Sequence, residues 1–171
     1  MEWIFYTALG AVVVWAIVAF NLLVRDRHRV AQAWSDIDVQ LKRRHDLIPK
    51  LIDALRAHTD FERSVQTELA ELRARSERQQ NPAERGATEG RLGERLGQLI
   101  AVAEAYPVLA SSESFLHLQQ QLTAVETDLQ YARRYYNGAV NALNVRIDSF
   151  PDLLVARPFG FRPAELFQAE A

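Results

Sequence analysis

The sequence contains no cysteine in its 171 residues. Disulfide cross-links, thiol nucleophiles and thiolate metal sites are therefore excluded. Methionine occurs once, too little for an adaptable methionine-lined groove. The net charge is −2, so no global basic field points to nucleic acid. Basic residues interleaved with aromatics, on which single-stranded nucleic acid would stack, are missing as well. There is neither a GxSxG nucleophile turn nor a glycine-rich phosphate loop. The histidines, His28, His45, His58 and His117, are scattered without HxxxH or ExxH spacing, which argues against a metal site. No useful stretch alternates with the period of two that a half-buried strand requires.

What is present begins with a long apolar run. Residues 3–24, WIFYTALGAVVVWAIVAFNLLV, carry no charge. About 20 apolar helical residues cross a hydrocarbon core of roughly 30 Å, so the run predicts one transmembrane helix. A cleaved signal peptide is the main competitor. It calls for a basic start, a shorter apolar core and a small-residue cleavage site. Here Met1 is followed by Glu2, and the run continues into bulky Leu22, Leu23 and Val24. The reading is an uncleaved anchor over residues 1–24. Arg25, Arg27 and Arg29 follow at once as a membrane-proximal basic group. The positive-inside rule then sets the N-terminus outside and residues 25–171 in the cytoplasm. Charge is uneven along the chain: residues 25–58 carry eight Lys or Arg against five Asp, residues 59–171 twelve Arg against sixteen acids.

No proline or glycine lies between Gly10 and Pro49. One helix is expected to leave the membrane and enter the soluble part without a hinge. Val30, Trp34, Ile37, Leu41, Ile48, Leu51 and Leu55 share one face of it. Pro49 predicts a bend and not an end, because the pattern continues across it. Thr59-Asp60-Phe61-Glu62 has capping-box spacing. A second helix from there to about residue 80 would bury Phe61, Val65, Leu69 and Leu72, and a break before it is favoured over one long bent helix. Asn81-Pro82 reads as the next helix start. That third helix carries Gly86, Gly90, Gly93 and Gly97, each costing about 1 kcal/mol against alanine in a helix interior. Close helix approach and frayed first turns both remain open as explanations. Pro107 ends the segment, and Ser111 or Ser112 caps the longest helix. Its stripe runs Phe115, Leu118, Leu122, Val125, Leu129, Ala132, Tyr136, Val140, Leu143, Ile147 and Phe150, with a stutter around Tyr136. Pro151 stops it. The phenylalanines of Arg157-Pro158-Phe159-Gly160-Phe161 are expected to dock on the helices. The fold class is all-α: an N-terminal single transmembrane helix followed by an antiparallel four-helix bundle with long first and last helices.

Lys42-Arg43-Arg44-His45-Asp46 is the densest polar cluster. Neighbours in sequence do not face each other on a helix, so His45 and Asp46 form no acid–base dyad. Arg44 falls on the apolar face between Leu41 and Ile48, where a charge is costly unless paired. The expectation is a buried ion pair with Glu126, which stands beside the core residue Val125. Asn137, Asn141 and Asn144 follow helical spacing and offer a hydrogen-bonding face.

Several stretches together resemble the LemA family. They are RxRVxxAWSDIDVQLKRRxDLIP from Arg27, AVAEAYPxLxxxxxFxxLQ from Ala101, ARRYYNxxVNxxNxxIxxFP from Ala132, and FGF at 159–161. They occur in order over nearly the whole chain. Lys50 departs from the pattern, where asparagine is expected in many relatives. The resemblance implies a single-pass protein of the bacterial inner (cytoplasmic) membrane, with the bulk of the chain cytoplasmic, a four-helix bundle, and no established catalytic activity.

The expected function follows: a membrane-anchored scaffold, not an enzyme, acting through protein–protein contacts. Its partners are the lipid bilayer, further copies of itself in a homo-oligomer, and other membrane proteins. No cofactor, metal, catalytic residue or nucleic acid is expected. The alternative is a membrane-surface module that organises or remodels lipid through Arg25, Arg27 and Arg29, each contributing about 1 kcal/mol on anionic headgroups.

Overall fold

An apolar N-terminus, a regular pattern up to Pro49 and the stripe beyond it yield a single helix, α1 (Glu2–Arg56). Pro49 lies inside it, so the lost backbone donor does not end it. The structure is a computed structural model that describes residues 1–56 and 63–168. After α1 come α2 (Arg63–Arg78), α3 (Pro82–Glu104), the short α4 (Pro107–Ala110), α5 (Glu113–Asp148) and the short α6 (Leu153–Ala156). The described residues contain no strand. The capping box at Thr59–Glu62 and the junction it would make fall outside them.

Two helix starts follow the local chemistry of their sequences. At α3 the Asn81 Oδ1 accepts from the Ala83 and Glu84 amides at 2.9 and 3.1 Å, with Pro82 at the first helical position. At α5 the Phe115 amide donates to the Ser112 hydroxyl at 3.3 Å. These caps satisfy backbone donors that the first turn leaves unpaired. α3 is helical from Pro82 onward, so its glycines sit within a formed helix and not in a frayed loop.

The chain divides into two compact units. The first is Met1–Ser35 with Tyr135–Ala164, the second Asp36–Arg134 with Glu165–Ala171. α1 and α5 each contribute to both.

In the second unit one core draws on every long helix. Leu47, Ile48, Leu51 and Leu55 come from α1, Leu69 from α2, and Leu92, Leu96, Leu99 and Ala103 from α3. Leu109 of α4 and Phe115, Leu122 and Val125 of α5 complete it. Val65 and Leu72 pack at its margin. Each large side chain buried here contributes about 1.5–3 kcal/mol over leaving it in water.

In the first unit Ala19 and Leu23 of α1 pack with Leu143 and Ile147 of α5, Val155 and Ala156 of α6, and Phe161. Trp34 meets Tyr136 with ring centroids 5.5 Å apart. Asn144 clamps the tail: its Nδ2 donates to the Ala164 carbonyl at 2.9 Å and its Oδ1 accepts the Ala164 amide at 2.8 Å. Gly160 turns the chain at φ +70°, a left-handed conformation that favours glycine. One expectation is corrected here. Phe150 is exposed and does not close the α5 stripe, because α5 ends at Asp148 and its register no longer carries residue 150 inward. Phe159 and Phe161 both pack edge-on against Phe20 of α1, Phe161 buried and Phe159 with most of its surface exposed.

Residues 1–14 of the apolar run are exposed throughout, whereas Trp15, Ala16, Phe20 and Val24 pack against the first unit's core. Among the described residues α1 is the one helix long and apolar enough to cross a membrane.

Candidate functional site

The second unit holds a knot of charged side chains that reaches all four long helices. α1 brings Arg44 and His45, α2 brings Ser76 and Glu77, α3 brings Arg85 and Glu89, and α5 brings Glu126. Arg44, His45, Ser76, Arg85 and Glu89 are buried, Glu89 at 2% exposure. Glu89 is the hub. The Arg44 Nη1 donates to its Oε2 and to its backbone carbonyl, each at 3.3 Å. His45 Nε2 lies 2.8 Å from its Oε1, and the Ser76 hydroxyl donates to the same oxygen. An ionised carboxylate can only accept, so His45 donates to Glu89 through Nε2. Around the hub, Arg85 donates to the Ser76 hydroxyl at 3.4 Å and to Asp38 at 2.8 Å. His45 Nδ1 is 3.6 Å from Glu77, which also pairs with Arg73 at 3.0 Å.

The sequence named Arg44 and Glu126. Their Nε and Oε1 are 2.9 Å apart. The approach is charge contact without an aligned bond, since Arg44 Nε has no hydrogen-bond partner. The Glu126 side chain is 42% exposed, so the buried counter-charge of Arg44 is Glu89. Gly93 of α3 makes the geometry feasible: a Cβ there would lie 2.4 Å from Arg44 Nη2. Sequence reasoning missed Glu89, Ser76 and Arg85. A signal for two of them was present, because the α3 stripe Leu92, Leu96, Leu99 extended backwards passes through Glu89 and Arg85.

Burial pushes the Glu89 carboxyl up, but the hydrogen bond and charge of His45, the Ser76 hydroxyl and Arg44 outweigh it and hold the group below its ordinary value near 4.5. The sign follows. A carboxyl depressed in the folded state adds stability that is complete above its unfolded value and disappears as the pH falls through the folded one. Acid titration of the folded protein is therefore expected to lose stability below about pH 4.5. Glu89→Gln should flatten that part of the stability–pH curve in urea unfolding, and an unchanged curve would assign the acid sensitivity elsewhere.

A groove of about 470 Å³ between α1 and α2, lined by Ile48, Pro49, Ile52, Arg73 and Glu77 among others, meets the knot at Glu77. No group of three or more His, Asp or Glu is placed to hold a metal among the described residues. Chemically the arrangement fixes which helix faces meet.

The basic group lies in the first unit. Asp26 is buried beside it. Arg25 Nε and Arg29 Nη1 stand 3.8 and 3.6 Å from Asp26 Oδ1. Arg146 of α5 donates to Asp26 Oδ2 at 2.6 Å and to Asp152 at 3.1 Å. The hydrogen bond to Asp26 raises the Arg146 guanidinium further above its ordinary range. The Arg27 guanidinium lies over the Phe161 ring, 5.3 Å from its centroid, a cation–π contact that ties the tail to α1. Asp26 and Arg146 were not singled out in the sequence.

Comparison with known proteins adds four findings. The model of the LemA family matches residues 33–171. Magnetosome protein MamQ 2 of Paramagnetospirillum magneticum is 35% identical over 80 residues, which is 47% of this chain and 29% of that protein. Protein LemA of Metamycoplasma hominis is 25% identical over 153 residues, 87% of this chain and 68% of that one. The MamQ of Magnetospirillum gryphiswaldense is 30% identical over 79 residues, again matched over 29% of its own length.

Proposed function

The chain belongs to the LemA family, and from that premise we propose a membrane-anchored helical scaffold. The apolar start of α1 crosses the bacterial cytoplasmic membrane once. Residues 25–171 form an antiparallel four-helix bundle on the cytoplasmic side. The protein works by contact with further copies of itself and with other membrane proteins, and carries out no catalysis.

The observation that carries this reading is α1 itself. Its residues 3–14 are uncharged, mostly apolar and exposed, while Leu41, Ile48, Leu51 and Leu55 of the same helix are buried in a core. An apolar helix bare on every side is unstable in water and calls for lipid or protein around it. The charged knot supports a structural role as well, since the buried Glu89 accepts from Arg44, His45 and Ser76 of two other helices.

The test is the native mass of the full chain in mild detergent. A defined multiple of 19.5 kDa, free of other proteins, is expected. A monomer carrying a stoichiometric foreign protein would make the chain an accessory subunit instead. The lipid-organising reading has one observation in its favour: the Arg25 and Arg29 side chains stay about half exposed, at 53% and 54%. Replacing Arg25, Arg27 and Arg29 together by glutamine should leave the assembly mass unchanged if the protein is a scaffold. Loss of membrane effects in that variant would favour the lipid reading.

A further inference from the structure

The turn after α5 exposes an apolar group of its own. Phe150 is 78% exposed, Phe159 66% and Leu154 55%. The segment is helical in its hydrogen bonding: the Leu153 amide donates to the Ser149 carbonyl at 2.8 Å and the Ala156 amide to Asp152 at 2.9 Å. Phe150 and Leu154 both lie within this turn. Side chains of this kind are ordinarily buried, and three together in one short turn mark a contact surface.

What covers that surface is indicated by its neighbour. The Phe159 ring packs edge-on against Phe20 of α1 with centroids 5.1 Å apart, and the Phe161 ring does so at 5.8 Å. Phe20 belongs to the apolar run, five residues before Arg25, or about 7–8 Å along the helix axis. Segments that lie in a membrane interface bury their apolar side about 5–10 Å into the headgroup–acyl boundary. The turn thus stands at the interfacial depth of the crossing helix. Its flanks match: Arg157 is exposed beside Phe159, and Arg25 and Arg29 are half exposed at the same end of the run. At this level of α1 Ile17 and Val18 are bare as well.

We propose that residues 149–161 form a membrane foot. Phe150, Leu154 and Phe159 insert into the leaflet on the Arg25 side, next to the anchor, with Arg157 among the headgroups. The occupant of the surface is lipid. The inference rests on the reading that residues 3–24 cross the bilayer, and the experiment separates the two.

The natural chain lacks cysteine, so single labels are unambiguous. Phe150→Cys, Leu154→Cys and Phe159→Cys each replace an exposed side chain. Leu154→Cys and Phe150→Cys also leave the Phe20 ring contact in place. Val12→Cys in the run and Val108→Cys in α4, both exposed, serve as references. Each variant of the full chain is labelled with an environment-sensitive dye and reconstituted in vesicles of phosphatidylethanolamine and phosphatidylglycerol. Labels at 150, 154 and 159 are expected to lose most of their emission to spin-labelled lipid and little to aqueous iodide, as at 12, while the label at 108 shows the reverse. Iodide quenching at 150, 154 and 159 with lipid quenching at 12 would overturn the foot and leave the anchor standing. Iodide quenching at 12 as well would overturn the anchor and the foot with it. Shielding of the three labels from both quenchers would mean that protein, such as a second copy, covers the turn, and would also overturn the proposal.

Discussion

Replacing Glu89 by leucine is expected to remove about 3–5 kcal/mol from the unfolding free energy, the usual cost of leaving one partner of a buried ion pair alone. Glu89 accepts from Arg44, His45 and Ser76 in a site closed to water. Without it Arg44 keeps the backbone carbonyl of residue 89 and, as counter-charge, the half-exposed Glu126 at 2.9 Å without an aligned hydrogen bond. The measurement is urea unfolding of the full chain in detergent. The double variant Arg44→Leu with Glu89→Leu should recover much of the loss, because no uncompensated charge then remains buried and an apolar replacement of a buried pair is often neutral or better. Additive losses in the double variant would mean that the two side chains act independently, contrary to the contact between them.

The second large effect is a change of sign within one helix. Gly97→Ala should stabilise α3 by about 0.5–1 kcal/mol, the propensity gain of alanine over glycine, because a Cβ there meets nothing within 4 Å. Gly86→Ala carries the same propensity gain but places a Cβ 2.3 Å from the Gln168 carbonyl oxygen and 2.8 Å from its carbon. These are backbone atoms of the tail and cannot swing aside as a side chain does. The tail is also held at this place by Asn81 donating to Glu165 at 2.6 Å and by Arg133 lying over the Phe167 ring at 5.5 Å. Overpacking of this kind costs about 1–3 kcal/mol, so Gly86→Ala should be net destabilising. Parallel unfolding curves of the two variants settle the matter. If Gly86→Ala stabilises as Gly97→Ala does, the tail does not lie across α3.

These effects mark the border between what the residues announce and what folding adds. Helix identity and several boundaries were legible because they are local. Apolar residues recurring every three or four positions, a proline at the first helical position after an asparagine, and a serine before Phe115 act through the backbone of the same segment. The same locality made the apolar run before Arg25 readable as a membrane-crossing candidate. Arg44 was legible as an oddity, a charge on an apolar face, for the same reason.

Its main partner was not. Which carboxylate meets a buried guanidinium depends on how α3 faces α1, a distance of 45 positions in sequence. Sequence spacing pointed to Glu126 because that residue adjoins a core valine; burial decided for Glu89, which lies at the centre where water cannot serve as the partner. Asp26 was hidden likewise. In sequence it is one acid between two arginines, and only the approach of Arg146 from α5 makes it the buried anion of the basic group. Phe150 shows the opposite error, since a periodic stripe carried one residue past the helix end points outward once the register is lost. The sequence by itself therefore determined the elements, the apolar faces and the direction of charge along the chain, which are nearest-neighbour properties. Only the tertiary structure decided which glycines are contact points, which charges neutralise one another and which aromatics remain bare, because each of those depends on what a different helix places against them.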